Sequence, residues 1–281
     1  MAADDDLTTR RMRFRFEEPP SGRYFADDNM VLSHFVAELS ASFPAGEESF
    51  IRSVRRVSDQ ITDPTLKRRA AGFIGQESTH GQEHRRLNAK LIDRGYRIAW
   101  RDSKSLRDKQ LRREQKMSPR VHLAMTAGAE HYTAVLAERI LSSAELQAIP
   151  GTPEVWHLLN WHALEELEHK SVAFDVYRAV GGTELTRIAV MAFLIATTVP
   201  ATLLAVAVSL ARDPLARRHP VRLLKEGRGL LRGPFFSGLL RDLLRYLRPG
   251  FHPDDVDTTA LLELWQRKLF GDGGTLVDHL R

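Results

Sequence analysis

Residues 162–169 read His162-Ala163-Leu164-Glu165-Glu166-Leu167-Glu168-His169, and residues 77–84 read Glu77-Ser78-Thr79-His80-Gly81-Gln82-Glu83-His84. Each stretch contains a Glu-x-x-His step, Glu166 to His169 and Glu77 to His80, inside a long helical pattern rather than a loop. On an α-helix residues three apart point the same way, so each pair can present one carboxylate and one imidazole to a common point. A single step of this kind arises often by chance. Two become informative when each is preceded by a helix with an inward glutamate, the arrangement by which some helical bundles hold two metal ions.

Working outward, both preceding helices carry such a glutamate. Glu47 shares a face with Ile51, Val54 and Ile61, whereas Glu48 lies about 100° round and faces solvent. Glu130 shares its face with Leu123, Ala127, Ala134, Ala137 and Leu141, an apolar stripe in which an unpaired carboxylate is costly. Spacing supplies an independent test, because an antiparallel hairpin puts residues equidistant from its turn at the same height. Glu47 and Glu77 each lie 15 residues from Thr62, and Glu130 and Glu166 each lie 18 from Ala148. Each lone glutamate therefore faces its own Glu-x-x-His, which predicts a ferritin-like four-helix bundle with a two-metal centre.

Turn signals and periodicity place the helices and give no alternating strands, so the fold class is all-α. One helix is expected from Asn29 to Phe43, broken at Pro44-Ala45-Gly46, and a second to about Ile61. Asp63-Pro64 opens a long helix to Arg94, closed by Gly95. Others run from Pro119 to about Leu141 and from Pro153 to Val180, with a polar, basic crossover between Gly95 and Ser118. The chain divides into an N-terminal arm (1–28), the metal-binding bundle (29–182) and a C-terminal helical region (183–281).

That last region changes composition sharply. Ile188 to Leu210 is a run of 23 residues without a charge, about 34 Å as a helix and long enough for a bilayer core. Seven basic residues follow between Arg212 and Arg232, then Phe235-Phe236 and the amphipathic Leu239–Leu247. A membrane surface is the expected partner. A single pass places the basic cluster outside if the bundle is cytoplasmic, against the positive-inside rule; a monotopic insertion broken at Pro200 removes the conflict. Asp4, Asp5 and Asp6 precede Arg10, Arg11, Arg13 and Arg15 with no apolar stretch of a secretory signal, which suggests the cytoplasmic side.

The 281-residue chain is 43% hydrophobic, with no cysteine and 11 histidines. It can bury a large core, and Cys-ligated zinc, Fe–S clusters and thiol nucleophiles are excluded. A net charge of +5 does not point to nucleic acid. There is no Gly-x-Ser-x-Gly elbow, P-loop or dinucleotide fingerprint, and Glu130-His131 is not part of a His-Glu-x-x-His zinc motif.

The expected ligands are Glu47, Glu77, His80, Glu130, Glu166 and His169. Four carboxylates match two divalent cations, and the mixed donor set suits two iron ions, with manganese or zinc as alternatives. His84 and His162 share the ligand faces, each as an extra ligand or as a group orienting one. Glu165, His131, Glu83, Glu168, Asn88 and Gln76 flank the site.

Phe43-Pro44-Ala45-Gly46-Glu47, Asp63-Pro64, Phe73-Ile74-Gly75-Gln76-Glu77, His80, His84 and Asn88 together resemble a bacterial family of predicted metal-dependent hydrolases. Arg10-Arg11-Met12 and Arg248-Pro249-Gly250-Phe251-His252-Pro253 extend the resemblance over most of the chain. Separately, His162-x-x-x-Glu166-x-x-His169 is similar to the ligand helix of the di-iron arylamine N-oxygenases, which use a third histidine on one iron.

The ligand set alone favours an oxygen-activating oxidase or oxygenase acting on a small apolar or membrane-delivered substrate. No reductase module is fused, so that chemistry requires an external electron donor. The first resemblance implies the alternative, a hydrolase in which a metal-bridging hydroxide attacks an ester, amide or phosphoester. A third reading is a non-catalytic metal-binding membrane protein.

Overall fold

The computed structural model describes residues 7–16 and 23–281; the Asp4–Asp6 run of the arm lies outside them. Among the described residues the structure is helical without strands, apart from two isolated antiparallel bridges, Met12 with Leu280 and Ala26 with Gly151. The expected all-α class is observed.

Four long helices carry the predicted ligands: α1 (Met30–Arg55), α2 (Pro64–Asp93), α4 (Pro119–Ser142) and α6 (Pro153–His169), with α3 (Lys104–Lys116) between α2 and α4. Their starts follow from capping chemistry. The side chains of Asn29, Asp63 and Ser118 accept from amides of the first turns of α1, α2 and α4, and proline stands in the first turn of α2, α4 and α6. The most extensive packing is α1 on α2 and α4 on α6, with α1 also touching α4 and α2 touching α6.

Three boundaries differ from expectation. The break at Pro44 does not occur, and α1 runs through it. A proline in a helix removes the bond to the carbonyl four residues back, here that of Ser40, and Asn88 of α2 replaces it by donating Nδ2 at 3.2 Å. The helix expected from Pro153 to Val180 stops at His169 and resumes as α7 (Val172–Ala179). At that joint Lys170 donates to the Val256 carbonyl and Thr258 Oγ1, while Ser171 accepts from Arg69. The polar, basic crossover, to which no helix was assigned, contains α3, capped by Ser103, whose one buried residue, Glu114, accepts from Arg52 and Ser49.

After α5 (Ala144–Gln147), α6 and α7, the chain continues through α8 (Glu184–Ala211), α9 (Pro220–Arg232), α10 (Leu239–Leu244) and α11 (Thr259–Phe270). By length and composition α8 is long and apolar enough to cross a membrane. It packs on α1 and α4; α9 lies against α1, α10 against α4 and α11 against α6. One hydrophobic core contains Met12 and Phe14 of the arm, Trp161 of α6, and Trp265, Leu269 and Leu276 near the end of the chain. The arm is held further by Phe14 N donating to Glu83 and Arg15 N to Glu154.

Candidate metal centre

The four helices bring Glu47 (α1), Glu77 and His80 (α2), Glu130 (α4), and His162, Glu166 and His169 (α6) to one place, each 4% exposed or less. Donor atoms of Glu47, His80 and His162 lie within 4.8 Å of one another, and so do those of Glu77, Glu130 and His169. A third such group, Glu77, His80 and Glu166, joins the two. His169 Nε2 is 3.1 Å from both Glu77 Oε1 and Glu130 Oε2, and 3.5 Å from Glu166 Oε2. The other oxygen of Glu166, Oε1, lies 2.8 Å from His162 Nε2 and 3.7 Å from His80 Nδ1. Glu77 and Glu166 thus stand between two neighbouring positions, one with Glu47 and two imidazoles, the other with Glu130 and one. Gly81 admits Glu47 at close range, since a Cβ there would meet Glu47 Oε2 at 2.9 Å.

Buried polar atoms are nearly always hydrogen-bonded. Among the described residues sixteen buried side-chain N or O atoms lack a hydrogen-bond partner, and nine belong to Glu47, Glu77, His80, Glu130, Glu166 and His169. Such a concentration of orphaned lone pairs aimed at one another fits a cation pair.

The surroundings set each imidazole to offer a lone pair inward. His169 Nδ1 lies 3.0 Å from Gln76 Oε1, and Gln76 Nε2 donates to the Thr8 carbonyl and to Glu168, which holds the amide oxygen toward the ring. His80 Nε2 meets Glu165 Oε2 at 2.9 Å, while Arg10 donates to Glu165 Oε1 at 3.0 Å and to both oxygens of Glu168. In both rings the outer nitrogen therefore carries a hydrogen, and the inner one is turned toward the carboxylates, where it can bind a metal once deprotonated. A third chain runs through α1: Ser40 Oγ donates to Asn88 Oδ1 at 2.7 Å, so it accepts from His84 Nδ1 at 2.9 Å. His84 Nε2 then accepts from His162 Nδ1 at 2.7 Å, leaving His162 Nε2 facing Glu166 and Glu47. Aromatic rings wall each imidazole: Trp161 beside His80, Phe43 beside His162, Phe73 beside His169.

Electrostatics point the same way. Burial first, and then neighbouring carboxylates, push Glu47 and Glu77 well above the usual carboxylate range, and burial with Glu166 pushes Glu130 up to about 7. Burial also works against the charged forms of Glu166 and His169. Their mutual attraction outweighs it, holding Glu166 well below and His169 well above their ordinary values. Burial and then His162 hold His80 and His84 well below theirs. Without a cation, four glutamates this close ionise only in part, and protons take the place a metal fills.

The candidates separate accordingly. His162 joins the ligand cluster. His84, which shares the ligand face, has both ring nitrogens engaged by Ser40 and His162 and has no nitrogen left for a metal. Glu165, Glu168, Asn88 and Gln76 form the orienting layer, and Glu165 is fully buried. His131 does not reach this layer: it meets the Asp242 carbonyl and packs on Tyr246 and Phe251. Glu48 faces outward and pairs with Arg52 and Arg85. Sequence reasoning missed the contacts that Arg10 and Ser40 make with this layer and the continuation of α1 through Pro44.

Beside the cluster is a cavity of about 440 Å³, lined mainly by apolar side chains such as Phe35, Leu39, Phe43 and Leu194. Of the seven converging residues, Glu47 alone lines it. Tyr132 lines it too, with a buried hydroxyl that has no partner.

Residues 8–257 match the family described as predicted metal-dependent hydrolase. No curated protein and no solved structure matches.

Proposed function

The chain belongs to the predicted metal-dependent hydrolases, and from that membership and its convergent ligands we propose that it is a dinuclear metal-dependent hydrolase acting on a substrate with a substantial apolar part. The observation that carries the reading is the set of nine orphaned buried donor atoms on six residues. Glu47, His80 and His162 would hold one ion, Glu130 and His169 the other, and Glu77 and Glu166 would be shared. The ions would supply Lewis acidity and activate water. The family description favours hydrolysis over the oxygen activation that the ligand set alone suggested.

The chain's own residues do the rest. Gln76, Glu165 and His84 hold three imidazoles in the tautomers that face the ions. Substrate enters from the Glu47 side, where Phe35, Leu39 and Phe43 exclude water and seat an apolar group. The unpartnered Tyr132 hydroxyl, buried beside that cavity, would be one donor to a carbonyl or phosphoryl oxygen of the substrate on turning toward it.

One observation favours a second reading, dioxygen activation: a buried set of four carboxylates and three imidazoles on four helices also suits a di-iron or di-manganese centre. The test is metal content and ester hydrolysis by protein prepared and assayed without oxygen. About two ions per chain with undiminished anaerobic hydrolysis supports the proposal; iron with turnover only in oxygen moves it to the second reading, and absence of bound metal refutes both.

A further inference from the structure

In α8 the buried residues are Arg187, Met191, Val206 and Ser209. Residues 192–205 between them form a wholly uncharged stretch that is nowhere buried, with Phe193 and Leu204 more than half exposed. Both ends of the helix are fastened to the bundle. At its start Arg187 donates to the carbonyls of Tyr246 and Arg248. At its end Ser209 bonds His34, and Asp213 just beyond accepts from Tyr24 and Arg23. The inner side of the stretch, from Leu194 to Leu203, walls the cavity that Glu47 lines, and Pro200 lies within it.

A continuous apolar face of this length is unfavourable in water. Directly after α8, residues 216–218 pack back on it and α9 packs on α1; α9 turns Val221, Leu224 and Leu231 outward, and Arg212, Arg217, Arg218, Lys225, Arg228 and Arg232 are all exposed. None of those six cations forms an ion pair among the described residues. An apolar stretch followed at its end by unpaired cations matches the acyl and headgroup layers of an anionic bilayer. Because α8 packs on both α1 and α4, crossing the bilayer would draw parts of those helices, with their polar residues, into hydrocarbon, whereas resting on the surface asks only the exposed stretch of α8 to enter it.

The geometry points to α8 resting in the plane of an anionic phospholipid surface, with the cavity behind residues 194–203 receiving long-chain amphiphiles from the lipid. The docking stands independently of the reaction; the assignment of such amphiphiles as substrate rests on the hydrolase reading above.

The absence of cysteine allows single nitroxide labels on the full chain at Leu185→Cys, Phe193→Cys and Leu204→Cys. The first and last are about 28 Å apart along the helix. With vesicles of phosphatidylcholine and phosphatidylglycerol, the expected result is co-sedimentation at least about tenfold tighter than with phosphatidylcholine alone, and three labels at similar depth. Failure to bind the anionic vesicles, a self-associated chain that buries the three labels against a second copy, or a depth profile deepest at Phe193→Cys with both ends at interfaces overturns the placement. Cavity entry is read separately with the fluorescent fatty acid parinaric acid. Ala129→Phe, which narrows the cavity, should weaken its binding at least about tenfold with vesicle binding unchanged, and unchanged parinaric acid affinity overturns the entry route. Metal content and anaerobic hydrolysis of p-nitrophenyl acetate on the same preparations report on the hydrolase reading by itself.

Discussion

Glu165→Gln isolates what the orienting layer does for the metals. In the native protein Glu165 Oε2 takes the His80 Nε2 hydrogen at 2.9 Å while Oε1 faces Arg10 at 3.0 Å. A glutamine fills the same space but has one acceptor. If its oxygen stays on His80, its amide nitrogen confronts the Arg10 guanidinium. If the oxygen turns to Arg10, the amide hydrogens face His80 Nε2, and the ring hydrogen moves to Nδ1, the nitrogen aimed at Glu77 and Glu166. Either outcome weakens His80 as a ligand. Loss of such an orienting partner typically costs about 10–100-fold in metal affinity, or about 1.4–2.7 kcal/mol. The ion position built from Glu130 and His169 has its own orienting group, Gln76. Anaerobic titration of the metal-free protein should therefore turn biphasic, with one ion bound nearly as before and the other weakened. Arg10→Met removes the support of Glu165 and also that of Glu168, which holds Gln76, so it should weaken both ions rather than one. Two ions binding with unchanged affinity in Glu165→Gln would refute this account of His80.

Further outcomes follow from the same geometry. Glu130→Ala should lower metal content from about two ions per chain to one or fewer, while the outward-facing Glu48→Ala keeps both, as read by elemental analysis. His131 is held down to about 4 by burial. Between pH 6.5 and 4 the unfolded chain therefore takes up a proton that the folded one refuses, and stability drops as pH falls through that window by roughly 3 kcal/mol. Urea unfolding across the window should show that slope, and His131→Gln should flatten it. Arg187→Ala leaves the Tyr246 and Arg248 carbonyls without their buried donor; a loss of about 3 kcal/mol or more in urea unfolding is expected, and a loss under 1 kcal/mol would contradict the anchoring role.

The helices that carry the candidate ligands were legible because helix geometry is local. Positions three apart share a face whatever surrounds them, so Glu77 with His80 and Glu166 with His169 could be read together, and hairpin spacing supplied Glu47 and Glu130. What escaped reading depends on partners distant in sequence. Nothing near Pro44 reveals that Asn88 will replace its missing hydrogen bond, so a break was expected where the helix continues. His84 shares the ligand face, yet its exclusion depends on Ser40, 44 residues away. Arg10 sits 155 residues from Glu165. His131, adjacent to Glu130 in sequence, is turned about 100° from it around the helix and so lands against Tyr246. In α3, helix-forming polar residues carry no apolar stripe, and periodicity had nothing to register.

The clasp between the two ends of the described chain bears on when the centre is completed in a cell. Met12 bridges Leu280, Arg13 N donates to the His279 carbonyl and Arg281 N to that of Arg11. The segment carrying Thr8 and Arg10 is synthesised about 270 residues before the residues that pin it. Until residues 279–281 have been made and docked, the outer support of Glu165 and Gln76 lacks this clasp, and the rings they orient are held less firmly.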